Sequence, residues 1–134
     1  MIAWAVVLPA LARLLPLPSL VRRLWHEKAS DNQERRAERV LALAQAIYGR
    51  RRPLRDNCFF RSLLTYRFLA EASADPRLVV GVRRGEGGVD GHVWVMLRER
   101  PVHENSVSLA EFSPLLVFGP LGRAESLEEF PPPE

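Results

Sequence analysis

At Asp75-Pro76 the chain changes its period, and this switch limits the folds open to it more than any other feature. Before the switch, apolar residues recur at helical spacing. Ala37, Val40, Leu43, Ala44 and Ile47 share one face of a helix that begins at the cap residues Ser30-Asp31-Asn32 and ends near Tyr48. Phe60, Leu63, Leu64 and Phe68 form a second stripe, on a helix from Cys58 to about Ala72, widened by Phe59 and Tyr66. After the switch, β-branched and aromatic residues alternate. Leu78–Arg83 and His92–Leu97 are predicted strands, with the glycine-rich stretch Arg84–Gly91 a loop between them. Pro101–Glu104 returns as a short strand, and Leu115–Phe118 adds an edge strand. Helices followed by a small antiparallel sheet define the α+β class.

A length of 134 residues suits one domain, and 47% hydrophobic residues supply a core. Residues 1–55 are expected to be a helical region packing on the core or on a partner. Residues 56–120 are the expected core, and residues 121–134 an acidic, proline-rich tail. Charge divides along the same lines. The first 55 residues hold eleven Lys/Arg against four Asp/Glu, a net +7, and the remainder holds eight against twelve, a net −4. Arg35, Arg36 and Arg39 interleave with Glu34 and Glu38 as on a solvated helix face, and His26 reads as surface. No aromatic interleaving suggests a nucleic-acid binder. The apolar start reads as two helical segments, 2–15 and 19–27, split by Pro16 and Pro18. Arg13 and these prolines interrupt it well short of the ~20 apolar residues of a membrane span. Contact with a membrane surface is the minor alternative to packing on the domain. One cysteine rules out an intramolecular disulfide and a four-thiolate zinc site, and the expected compartment is the cytoplasm.

That cysteine, Cys58, stands where the second long helix should begin, with Asp56 or Asn57 as cap. A thiol in a first turn meets unpaired N–H groups and the positive end of the helix dipole, both of which favour thiolate. The Cys58 backbone N–H is a candidate oxyanion donor there. Its neighbours at +4, +7 and +11 are Ser62, Thr65 and Leu69, so small residues lie beneath the thiol where a sheet can approach. The bland reading is an inert buried cysteine. His92, heading a strand beside Gly91, is the candidate base, against the alternative of a structural histidine. A third group should accept the other imidazole N–H. Glu104 and His103 are candidates across the next hairpin, and the register decides. A three-residue turn at Leu97-Arg98-Glu99 sets His92 opposite Glu104. A two-residue turn at Arg98-Glu99 pairs His92 with Asn105 instead, unless a bulge near Pro101 restores Glu104.

The segment Asn57-Cys58-Phe59-Phe60-Arg61-Ser62-Leu63 resembles the Cys-x-x-Arg-Ser-Leu stretch of the lasso peptide biosynthesis leader peptidases, a transglutaminase-like (papain-like) family. Leu78-Val79-Val80-Gly81-Val82-Arg83 resembles that family's next strand. Gly91-His92-Val93-Trp94-Val95, with Arg100-Pro101-Val102 and Glu104, resembles its His-Ala-Trp-Val…Arg-Pro-Val…acid block. Met96 stands where the family often has Glu, and Arg98-Glu99 where it often has Asp-Gly. The resemblance spans residues 54 to about 118 and implies a transglutaminase-like cysteine protease core. It assigns the catalytic Cys, His and acid to Cys58, His92 and Glu104.

It further implies removal of the leader from a ribosomally made precursor peptide through a thioester, with no cofactor or metal. The implied partners are the precursor, a separate leader-binding protein and an asparagine-synthetase-like macrocyclase. The chain is too short to carry the recognition domain itself, so its basic amino-terminal half is the expected docking surface. Acyl transfer to an amine, as by a transglutaminase, and a non-catalytic precursor-binding scaffold are the competing functions. A metal site from Cys58, His92 and His103 fits no compact ligand spacing.

Overall fold

The structure is a computed structural model and describes residues 8, 10–25, 35, 39, 42, 58–72, 74–104 and 106–129. Helix α1 (Leu17–Leu24) follows a helical stretch over residues 10–14 and starts with Pro18 in its first turn, where a missing N–H costs nothing. Helix α2 is Cys58–Glu71. Strands β1 (Arg77–Gly85), β2 (Gly88–Leu97) and β3 (Arg100–Pro101) follow, then the single-turn helix α3 (Ser106–Leu109), β4 (Ser113–Phe118) and β5 (Ala124–Glu125). The five strands form one antiparallel sheet in the order β3-β2-β1-β4-β5. Helices and an antiparallel sheet together make the α+β architecture expected from the change of period. The expected helix from residue 30 to 48 lies outside the described residues apart from Arg35, Arg39 and Ala42, which are helical. The caps Asp56 and Asn57 also lie outside them.

Alternation along the strands sorts their side chains onto two faces. Leu78, Val93, Val95 and Phe118 face α2 and α1, where Leu63, Leu69, Leu20, Val21 and Leu24 complete the main core together with Leu8. Val79, Trp94, Met96 and Val117 form a smaller core on the other face, closed by Leu109 and Phe112. The α1–α2 contact is fixed by Trp25 against Tyr66, rings 5.6 Å apart. It is also fixed by Arg67, whose Nη1 donates to the Leu24 carbonyl. A cation on the last carbonyls of a helix suits its dipole. Tyr66 donates its hydroxyl to the Gly119 carbonyl at 2.7 Å, and burial pushes its pKa up, so it remains a donor.

Three expectations need correction. Arg84–Gly91 is no loop: β1 and β2 pair through it down to Gly85 opposite Gly88, leaving Glu86-Gly87 as the tip. Gly88, at φ 129°, takes a backbone conformation that side chains avoid, and this lets so tight a tip form. Leu115–Phe118 lies inside the sheet rather than at its edge, because β5 covers β4 on its outer side. Ala124 and Glu125 pair there with Phe118 and Val117. There Arg77 Nε also meets Glu125 Oε2 at 2.7 Å. The return strand Pro101–Glu104 is shorter than expected, as only Arg100 and Pro101 pair with β2. Leu97 opposite Arg100 encloses a two-residue turn, Arg98-Glu99, with φ of 50° and 65°. Left-handed conformation at both positions is what joins strands of native twist across two residues. Among the described residues no helix is long and apolar enough to cross a membrane.

Candidate active site

The site lies where β3 ends and α2 begins. In an antiparallel strand the N–H and C=O groups of alternate residues point to the same side. The Val95 carbonyl accepts from Val102 N–H at 2.9 Å, so it points toward the hairpin partner. The Val93 carbonyl points the same way, but the paired strand has already stopped. Ser62 Oγ donates to it at 2.7 Å, both groups being buried. A side chain on α2 thus completes the pairing that the backbone gives up. A hydroxyl on a small residue suits this contact, because the helix must come close to the strand.

Glu104 reaches the same place. His103, at φ 59°, turns the chain sharply after Val102. The short two-residue turn is the one that should carry Glu104 to the other face, yet this left-handed residue, rather than a bulge at Pro101, brings the carboxylate back. Glu104 Oε2 lies 2.7 Å from His92 Nε2. Against a carboxylate that only accepts, Nε2 would be the donor of this contact, which leaves Nδ1 as the other ring nitrogen. Glu104 Oε1 accepts from Arg61 Nη2 at 3.0 Å. All three side chains are mostly shielded: 19% of His92, 14% of Glu104 and 25% of Arg61 is exposed. The imidazole rests beside Trp94 and Phe112, with ring centres 6.0 and 5.2 Å away. Trp94 in turn lies over Gly81, where a Cβ would come within 2.7 Å of the indole. Gly81 is what lets the indole lie flat on the sheet beside the imidazole.

Cys58 is the first residue of α2, a free thiol and half-buried. On a helix surface, residues three and four positions on are the nearest neighbours, with Cβ atoms about 5–6 Å apart. For Cys58 these are Arg61 and Ser62. One holds Glu104 and the other holds the strand next to His92. The helix face that starts with the thiol is therefore the face docked on the His92 end of β2. Thr65 and Leu69, further down the same stripe, are buried.

Of the candidate residues, the structure brings His92 and Glu104 into contact and sets Cys58 one helical turn from Arg61. His103 is exposed, and Asn105 lies outside the described residues. Sequence reasoning gives Arg61 no role beyond its place in a motif; its spacing of three from Cys58 is the available signal. Phe112 carries no signal, since it comes from the irregular turn after α3. Among the described residues no group of three or more His, Cys, Asp or Glu is arranged to hold a metal ion.

The fold is thus an α+β one in which a free cysteine opens the helix that holds, through Arg61, the carboxylate paired with a strand histidine. The match to the transglutaminase-like superfamily covers residues 1–117, and the chain belongs to that superfamily. No curated protein and no solved structure shows significant similarity to the chain.

Proposed function

We propose that the protein is a cysteine protease that removes the leader from a ribosomally synthesised precursor peptide during lasso peptide maturation. The observation that supports this reading is the chain of contacts Arg61–Glu104–His92 beside the Ser62–Val93 bond, which links the helix opened by Cys58 to the acid and to the strand of the histidine. The same contacts give a physical reason for the Cys-x-x-Arg-Ser spacing shared with the leader peptidases.

In this mechanism the Cys58 thiolate attacks the scissile carbonyl carbon, and the negative charge moves to the carbonyl oxygen. Backbone N–H groups of the first helical turn stabilise that oxyanion. His92 passes its Nδ1 proton to the departing amine as the C–N bond breaks, leaving a thioester on Cys58. The neutral imidazole then takes a proton from water, which attacks the thioester and frees the new carboxyl end. Glu104 holds the ring through Nε2–H and supports its positive form.

The reaction is cytoplasmic in this reading, and the precursor arrives on a separate leader-binding protein before a macrocyclase acts. Arg35 and Arg39 are exposed on a helical segment of the basic half, which suits them to docking that partner. Glutamate at both positions should weaken recovery of the partner in a pull-down, and undiminished recovery refutes that surface.

The central test is mass spectrometry of precursor incubated with enzyme. Hydrolysis gives free leader and core, whereas a product with an added amine points to transfer chemistry. Cys58→Ala should abolish cleavage without unfolding the chain. Cleavage by that variant excludes a cysteine mechanism, and no turnover by the wild type leaves a binding scaffold.

A further inference from the structure

We infer that Arg61 is a positioning residue that acts on His92 through Glu104, an inference that rests on the cysteine-protease reading. The reason lies in how the acid is supplied. Glu104 does not sit on a strand: sheet pairing ends at Pro101, and among the described residues the last backbone bond of this segment to β2 comes from Val102. His103 then turns the chain through a left-handed conformation. A carboxylate on such a segment has torsional freedom that no sheet removes. Its two oxygens are shared out, Oε2 to His92 and Oε1 to Arg61.

The guanidinium is fixed on the helix that begins with Cys58, one turn from the thiol. It therefore ties the acid to the same rigid element as the nucleophile, while Ser62 ties that element to the strand carrying His92. Without Arg61 the carboxylate is free to rotate away, and the imidazole loses its fixed orientation and its counter-charge. Only Nη2 makes the contact, so a lysine ammonium can replace part of the function, which it does poorly where both nitrogens of the fork are used.

Alkylation of Cys58 by iodoacetamide at about pH 6.5 reads thiolate character without any knowledge of the substrate. Arg61→Met should slow it roughly tenfold, the loss expected for one charge-assisted hydrogen bond, while Arg61→Lys stays within about threefold. In a Glu104→Gln background, Arg61→Met should add almost nothing, because its route to His92 is already gone. A structural role predicts instead the same further loss in both backgrounds, paralleled by thermal midpoints, and that result overturns the inference. Should Arg61→Met not fold, Arg61→Gln carries the same comparison. Activated wild-type thiol with an unaffected Arg61 variant rejects the positioning role alone. A wild-type thiol no faster than an unfolded cysteine peptide rejects the protease reading and this inference with it.

Discussion

From Trp94 to Leu97, β2 is packed from both faces: Val95 faces α2 and its neighbours, and Trp94 and Met96 enter the smaller core. On its sides, backbone partners come from β1 and, at Met96 and Leu97, from β3. From Gly88 to Val93 the same strand pairs with β1 alone among the described strands. Its first four residues are exposed, with Val89 71% open. The transition falls at His92 and Val93. There the Ser62 hydroxyl takes the place of a strand at the Val93 carbonyl, and the His92 imidazole meets the Glu104 carboxylate. One strand thus serves stability at one end and presents polar groups at the other, and the boundary is set by where its hairpin partner stops pairing.

The sharpest way to break this comparison is His92→Ala. General acid–base groups contribute about 10²–10⁴-fold, so precursor cleavage should fall by that factor while the thermal midpoint moves little. A large loss of stability with it would mean that the polar end also holds the fold. Trp94→Ala probes the packed end, where truncation of a buried tryptophan should cost about 3–5 kcal/mol in denaturant unfolding. A cost below about 1 kcal/mol would remove the distinction between the two ends. Ser62→Ala tests the boundary itself. It leaves the buried Val93 carbonyl unpaired, at a cost of about 1–3 kcal/mol. It should also slow Cys58 alkylation, because the helix start is no longer anchored to the strand; normal alkylation would show that the anchor is dispensable.

Much of this is legible in the sequence, and the gaps have physical causes. Helix α2 is legible because its buried stripe repeats at helical spacing, and β1 and β2 because valines and aromatics alternate in them. The hairpin tip reads as a loop because four glycines hide strand periodicity, which depends on side chains. The place of β4 depends on β5, a two-residue strand too short for any pattern. Glu104 is the residue that register rules do not decide, since its position turns on one left-handed residue, His103, of a type that takes this conformation more readily than most. Arg61 is visible only as a motif letter, because its partner lies 43 positions away.

The Arg98-Glu99 corner carries a final implication, for engineering. Each of its residues takes a left-handed backbone that costs an ordinary side chain about 1–2 kcal/mol and glycine very little. An Asn-Gly replacement should therefore relieve that backbone cost. The length of the corner matters as well: one inserted residue would shift Arg100 and Pro101 against Leu97 and Met96 and exchange the faces of that short strand.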